Sequence, residues 1–418
     1  MTGALAHAEF LERARQERER DDTAASRVAL GGYLVARLVS RLLTLADTPR
    51  DYEAFEWQRS STRRYLWELD QDRAETRFLR SVLEALDGDS NTRMGACRMA
   101  LTAYAYFLEH EGRLAEALQI VTLAAQTYGD SIPAPDFTSL GLFIGRLNRQ
   151  LTHWEQANAS YVAAAEAAEQ IADRNSIFRS RLGRAGVMRG QGNLPGAHAA
   201  VQQIIEDATH EPCGDILSLA YADLAFVLDL QGQLHEALRA NFEAVRISRD
   251  PMSRMRLLGD LGIKLSALSY HTEARTAFEL VVNSEASFLV RMNAMLELME
   301  IESQARNRMA FERRRQALRE HLTRMPPSMS VDYHYKVGLG LARFGIVDRA
   351  RAAWEQGRAL AEFHRLNEWY FRLERMLHDL RECEALASSP EAPEPADPPA
   401  WMAGVSAGLR EFAEELAR

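Results

Sequence analysis

The chain of 418 residues is predicted to be all-α: a solenoid of stacked helix-turn-helix hairpins, closed by helical caps. Two observations predict this fold. Apolar residues recur at helical spacing along nearly the whole chain. A set of small residues also recurs at a period of about 34 residues: a small residue, a Gly about seven residues later, and an Ala five after that. One such hairpin cannot bury its own apolar face, so copies are expected to stack and to leave a concave groove.

Two segments precede the repeats. Residues 1–25 are rich in charge and are expected to be a solvated leader, partly helical or disordered. Residues 26–90 have apolar residues at helical spacing, with breaks at Thr48-Pro49 and near Asp70–Asp72. They lack the repeat markers. They are either a cap or degenerate repeat that seals the core, or a separate partner-docking module.

Five hairpins are expected within 91–285, where the fourth has Ala225, Gly232 and Ala237 as its markers. Small residues at such positions let the two helices of a hairpin approach closely, and large residues fill the space to the neighbouring hairpins. The register of the third copy stays open, because Arg181 and Arg184 stand where apolar residues are usual.

The remainder is expected to hold three further segments. Residues 286–386 contain a degenerate sixth copy of open register, a seventh copy and a capping helix. A Pro-rich acidic linker follows at 387–400. An amphipathic helix is predicted at 401–418, with its apolar residues three to four positions apart: Trp401, Val405, Leu409, Phe412 and Leu416.

This arrangement of small, Gly, Ala and aromatic positions resembles the tetratricopeptide repeat family, in a bacterial protein. The resemblance implies a protein- or peptide-binding role for the groove, which the first helix of each hairpin would line. It also implies ten groove residues, with His110 beside the first of them and Arg181 or Arg184 as substitutes if the third copy slips in register: Tyr106, Glu109, Arg146, Arg149, Gln150, Arg179, Arg189, Phe226, Asp229 and Arg256.

Charge bears on what the groove would hold. The net charge is −9 and only two lysines occur, so that almost all positive charge is arginine. This composition disfavours nucleic acid as the partner. Arginines are nevertheless concentrated in the second and third copies. They form either a solvated face with local salt bridges or an electropositive groove for an acidic peptide, since Arg pairs with carboxylate through two parallel hydrogen bonds.

The amphipathic tail has several expected uses. It is a candidate partner-docking or autoinhibitory element, because a short tethered helix of this kind suits a groove. It would fold back on its own array, occupy the groove beside the arginines, exchange with a second copy in a homodimer, or recruit another protein. A helix packed permanently on the last repeat is the alternative.

The sequence contains none of the common motifs for catalysis, metal binding or cofactor binding. Three separated cysteines without C-x-x-C spacing, and a charged start without an apolar signal core, favour a cytoplasmic location. The apolar run 28–46 is broken by Arg37 and Arg41, which favours a buried helix over a membrane span. We therefore expect a non-enzymatic scaffold or adaptor without cofactor or metal. A peptide-sensing transcriptional regulator is the alternative, and an all-helical enzyme is a remote one.

Overall fold

The computed structural model describes residues 7–19, 21–45, 48–87, 90–129, 132–211, 214–378 and 395–416. These residues form twenty α-helices and one 3₁₀ helix at Leu322–Arg324, and no β-strand occurs among them, which confirms the all-α prediction. The helices, numbered in chain order, are α1 Ala8–Glu19, α2 Thr23–Leu43, α3 Pro49–Trp67, α4 Ala74–Ala85, α5 Ser90–His110, α6 Leu114–Gln126, α7 Ala134–Gln150, α8 Trp154–Gln170, α9 Arg174–Gly190, α10 Leu194–Thr209, α11 Gly214–Leu230, α12 Leu234–Ile247, α13 Pro251–Ala267, α14 His271–Val282, α15 Phe288–Gln304, α16 Arg308–Arg319, α17 Pro327–Arg343, α18 Val347–Phe363, α19 Asn367–His378 and α20 Met402–Leu416.

Seven consecutive helical hairpins, from α5–α6 to α17–α18, make up most of the described chain. In each, a residue of positive φ lies in the turn between the two helices: Gly112, Thr152, Gly192, Gly232, Ser269, Arg306 and Gly345. Consecutive turn residues are 40, 40, 40, 37, 37 and 39 positions apart. The expected period of about 34 is therefore wrong, because the first helices from α7 to α17 each run to 17 residues.

A small residue and a large aromatic residue pack against each other inside several hairpins. A Cβ added at Gly145 would lie 2.8 Å from the Tyr161 ring, and one at Gly262 would lie 2.7 Å from the Phe278 ring. In both hairpins the aromatic residue follows the glycine by 16 positions. The small residue therefore does allow close approach, as expected, but the aromatic ring fills space within its own hairpin.

The chain divides into two compact units, Met1–Ala200 and Val201–Arg418. The N-terminal unit begins with α1–α4, and the break expected near Asp70 lies between α3 and α4. The charged leader contains the helix α1, and partly helical was one of the two forms expected for it, but it is not solvated throughout: Phe10 is fully buried and packs against Gly32 of α2. Its charge is used in packing, since Arg13 forms an ion pair with the buried Glu75 of α4.

The C-terminal unit contains the hairpins from α11–α12 to α17–α18, followed by α19 and α20. The sixth hairpin, α15–α16, is regular in structure although it lacks the sequence markers. The second part of the predicted capping helix, from 379, and most of the Pro-rich linker lie outside the described residues, as do Cys213 and Cys383. No helix among the described residues combines the length and the apolar character needed to cross a membrane.

Candidate functional site

Exposed apolar side chains are distributed unequally between the two helices of a hairpin. Within each unit, we call the surface made by the first helices of its hairpins the first-helix face. Within the described helices of the first five hairpins, exposed large apolar side chains lie on first helices: Met99, Tyr106, Phe137, Phe226, Leu230, Met252 and Ile263. Ile171, directly after the second helix α8, is 39% exposed, and in the last two hairpins the exposed residues Met309 and Phe363 lie on second helices. The exposed side chains on α5, α7, α11 and α13 mark the first helices of these hairpins as the candidate binding surface.

In the N-terminal unit, the neighbouring first helices α5 and α7 are joined by two contacts that involve predicted site residues. Tyr106 of α5 stacks on Phe143 of α7 with a centroid distance of 4.3 Å, and half of its surface remains exposed. Arg146 of α7 binds Glu109 of α5 through two hydrogen bonds, of 2.7 and 2.9 Å. Because Arg146 already has this carboxylate partner, it adds little net positive charge to the face.

The other predicted arginines of this unit differ in their surroundings. The side chain of Arg149 lies across α9, 3.2 Å from where a Cβ on Gly186 would be, and its Nε is buried without a hydrogen-bond partner. Arg179 of α9 is exposed and donates to Asn175 one turn away, at 2.9 Å. Arg189 is half-buried in the last turn of α9, and Gln150 is exposed at the end of α7.

The structure settles the register of the third hairpin. Arg184 donates to Asn158 at 3.2 Å, so it points toward the second helix α8 and not onto the first-helix face. Arg181 lies beside the ring of Phe178, at 5.6 Å from its centroid. Neither residue therefore replaces Arg179 in the candidate site. His110, the last residue of α5, is exposed.

In the C-terminal unit, the predicted residues lie on α11 and α13. Phe226 is 47% exposed on α11. Asp229 of α11 faces Lys264 of α13 at 3.8 Å, and Arg256 forms an ion pair with Asp260 one turn away at 3.7 Å. Burial raises the pKa of Asp260, against the opposing charges of Arg256 and Lys264.

The first-helix face of this unit also carries a buried ionic group that sequence reasoning missed. Lys336 of α17 is only 8% exposed and contacts Glu297 of α15 at 2.5 Å and Asp332 at 3.3 Å. Burial lowers the pKa of Lys336, but these two carboxylates outweigh that effect and raise it overall. Burial raises the pKa of both Glu297 and Asp332, which Lys336 opposes.

A signal for this group was present in the sequence. Lys264 and Lys336 are the only two lysines of the chain, and each is 8% exposed on a first helix and contacts a carboxylate of the preceding first helix. Their scarcity in an arginine-rich chain did not by itself predict that both lysines are buried beside carboxylates.

The tail helix α20 packs on second helices of its own unit. Val405 and Leu409 are 2% and 1% exposed, and they lie in one apolar cluster with residues of α12, α13 and α14. Ser406 donates to Glu273 of α14 at 2.8 Å, and Arg254 contacts Glu415 at 3.3 Å. The tail therefore folds back on its own chain.

The five predicted tail residues do not all contribute equally to this contact. Trp401 and Phe412 are partly buried against the same cluster, whereas Leu416 remains 48% exposed. Met402, which was not among the predicted residues, is 2% exposed. In this structure α20 lies mainly on the second helices α12 and α14, with Arg254 of the first helix α13 against its end. Docking of the tail in the groove stays a prediction.

No group of three or more His, Cys, Asp or Glu residues within the described parts of the chain could hold a metal ion. Cys97 is buried, and burial raises its pKa to about 11.

No family model matches the chain, and no curated protein matches it. The solved structures it is similar to include the apo form of the quorum sensor NprR from B. thuringiensis, with 11% identity and a TM-score of 0.46, over 85% of this chain and 97% of that one. The apo form of RapI has 9% identity and a TM-score of 0.45, over 84% and 98%.

A third similar structure is the Rap conjugation gene regulator of the plasmid pLS20 in complex with the Phr* peptide. It has 14% identity and a TM-score of 0.43, over 80% of this chain and 97% of that one. At these values the likenesses assign neither a family nor a ligand to this chain. Its own helices and turns identify it as a stack of tetratricopeptide-like helical hairpins.

Proposed function

We propose that this chain is a non-enzymatic scaffold or adaptor with a regulatory role, and that it binds a peptide or protein partner on its first-helix face. The observation that carries the proposal is the one-sided exposure of apolar side chains. In the first five hairpins, no large apolar residue within the described second helices is exposed, whereas four of the first helices expose seven of them. Apolar groups left exposed on one face are typical of a surface that another chain covers.

The finer proposal is that the partner is acidic where it meets the N-terminal unit. Helix α9 contains five arginines and no Asp or Glu within its 17 residues. Arg179 is the predicted site residue that lies exposed there, held by a neutral amide and not by a carboxylate. A carboxylate of a bound peptide would gain a charge-assisted hydrogen bond from it.

Peptide selection on the full chain, followed by affinity measurement, tests the proposal. Selected peptides are expected to bind, and Arg179→Glu is expected to weaken binding of acidic ones by about tenfold or more, since a close charge pair contributes at least ~1.5 kcal/mol when it is partly desolvated. Phe226→Ala is expected to weaken the binding of peptides that contact the C-terminal unit. Circular dichroism checks that the helices are intact.

Two matched variants serve as controls. Arg184→Glu changes the same residue type on the same helix, but its side chain points toward α8. Phe363→Ala removes a Phe that is 59% exposed at the end of the second helix α18. The proposal fails if the controls weaken binding as much as Arg179→Glu and Phe226→Ala do, or if no peptide binds the folded chain.

A further inference from the structure

A second concave site lies in the C-terminal unit, away from the candidate peptide surface. It is a pocket of about 340 Å³ between the second helices α16 and α18, with α17 as its floor. The floor is apolar through Val337 and Leu341 of α17, and Ala353 of α18 adds an apolar side chain beside it. A volume of this size suits a small molecule with one ring or a short chain.

Three arginines line the pocket, two from α16 and one from α18: Arg315, Arg319 and Arg349. Arg315 is already paired with Glu312 at 2.7 Å. Arg319 and Arg349 are exposed, and neither forms an ion pair or hydrogen bond with any residue that the structure describes. No carboxylate is found among the lining residues, so two guanidinium groups remain uncompensated at one small opening.

Two further polar side chains, Tyr333 and His334 of α17, line the pocket beside the arginines. Tyr333 is 3% exposed and donates its hydroxyl hydrogen to the Arg315 carbonyl oxygen at 3.3 Å. Burial raises the pKa of Tyr333, and the nearby charges of Arg315 and Arg319 oppose that change. Burial lowers the pKa of His334, which also lines the pocket, so this imidazole is neutral at pH 7 and adds a polar group without further charge.

The pocket is separate from the ionic group of the first-helix face. Tyr333, Val337 and Leu341 face the pocket, whereas Asp332 and Lys336 meet α15. At 3.6 residues per turn the centres of these two sets are about 120° apart around α17, so the sets lie on different sides of the helix. A molecule in the pocket would therefore leave the first-helix face uncovered.

We propose that this pocket binds a small amphiphilic anion: a phosphate or carboxylate group attached to a compact apolar body. The anionic group is held by Arg319 and Arg349, whose planar guanidinium groups suit bidentate pairing with either oxyanion. The apolar body lies on Val337, Leu341 and Ala353. The site gives the scaffold a small-molecule ligand in addition to its partner on the first-helix face.

Isothermal titration calorimetry on the full chain tests the site with three probes: phenyl phosphate, benzoate and benzyl alcohol. Phenyl phosphate and benzoate are expected to bind saturably with one molecule per chain, and benzyl alcohol is expected to bind at least tenfold more weakly. The double variant Arg319→Gln with Arg349→Gln is expected to lower the affinity for both anions by tenfold or more. Inorganic phosphate, which lacks the apolar body, is expected to bind more weakly than phenyl phosphate.

The matched control is Arg313→Gln with Arg351→Gln, which removes two exposed arginines from the same two helices outside the pocket. It is expected to keep the affinity within about twofold. Equal losses in the two double variants would mean that general charge attraction is responsible, and would overturn the proposal. Absence of saturable binding by either anion would overturn it as well, and inorganic phosphate binding as tightly as phenyl phosphate would refute the role of the apolar floor. Thermal unfolding of each variant establishes that the fold is unchanged.

Discussion

At the scale of the residue, the turn between the two helices of a hairpin is the most regular feature of this chain. All seven turns contain one residue of positive φ, although only four of the seven are glycine. Thr152, Ser269 and Arg306 adopt the same conformation with side chains that disfavour it. The packing of the hairpins therefore imposes the turn, and glycine only lowers its cost.

Gly232→Ala is expected to lower the free energy of unfolding by about 1 kcal/mol, because φ is +76° at this position and a Cβ disfavours that conformation. The added Cβ would contact nothing within 4 Å, so the loss reports the backbone and not a clash. Urea unfolding of the C-terminal unit, followed by circular dichroism, measures it.

Gly259→Ala is the matched control. Gly259 lies inside α13 with ordinary helical geometry, and a Cβ there would also contact nothing within 4 Å. Alanine is expected to stabilise by about 0.5–1 kcal/mol at such a site. Equal effects of the two substitutions would contradict the assignment of strain to the turn.

The sequence predicted which residues lie in turns better than it predicted which side chains contact each other across helices. Gly232 was predicted to lie at a turn because a glycine between two helical patterns has one common structural meaning. The pairing of Arg146 with Glu109 was not predicted, although both residues were named, since it depends on how α5 and α7 pack. Spacing along one helix does not determine which residue of the next helix is opposite.

At the scale of the element, the hairpins recur at intervals of 37 to 40 residues and not at the expected interval of about 34. The spacing from small residue to Gly to Ala, as in Ala225, Gly232 and Ala237, was predicted correctly because all three lie near the turn of one hairpin. The interval between hairpins was not, because the ends of the helices carry varied surface residues and do not mark how far each first helix extends. The sequence thus predicted each hairpin better than the interval between hairpins.

Lys336→Met is expected to destabilise the C-terminal unit by about 3–5 kcal/mol at neutral pH, since it leaves Glu297 and Asp332 as unpaired buried carboxylates. The loss is expected to be smaller at pH 5 than at pH 7.5. Removal of the lysine raises the folded-state pKa of both carboxyl groups further above their unfolded values, so the penalty falls away as they take up protons. Urea unfolding at the two pH values measures both effects.

Lys264→Met provides the comparison, because it removes the other lysine of the chain from an equivalent position. The carboxylate partner of Lys264 is Asp229, at 3.8 Å. The Asp229 side chain is 40% exposed, so water can solvate its carboxylate. A clearly smaller loss is expected. Similar losses for the two lysines, or a loss from Lys336→Met that does not change with pH, would contradict the role assigned to burial.

At the scale of the whole molecule, the tail helix shows how far sequence reasoning extends. The period of its apolar residues predicted a helix with one apolar side, and α20 has Val405 and Leu409 buried on that side. The surface that it covers was not predictable. It depends on close contacts such as that of Gly408 with Phe242 of α12, where an added Cβ would lie 2.6 Å from the ring.

Gly408→Leu is expected to displace α20 from α12 and α14, since the side chain has no space beside Phe242. Amide hydrogen exchange in those two helices should then become faster by about tenfold or more, because the opened form exposes their outer side. Affinity for a peptide on the first-helix face should not change. Hydrogen exchange with mass spectrometry measures the first effect, and calorimetry measures the second.

Gly404→Leu is the control on the same helix, where an added Cβ would contact nothing within 4 Å. It should leave exchange in α12 and α14 as it is in the unmodified chain. If Gly404→Leu also accelerated exchange there, loss of helix geometry and not the Phe242 contact would be responsible.

The docked tail also affects how the C-terminal unit folds during synthesis. In a plain stack each hairpin is completed by the next one, so folding can follow synthesis closely. Here Ser406 closes onto Glu273, 133 residues earlier in the chain. At ordinary translation rates that interval lasts on the order of ten seconds. During this time the outer apolar side of α12 and α14 stays uncovered on the nascent chain, which makes it a natural contact for chaperones and a point of risk for aggregation.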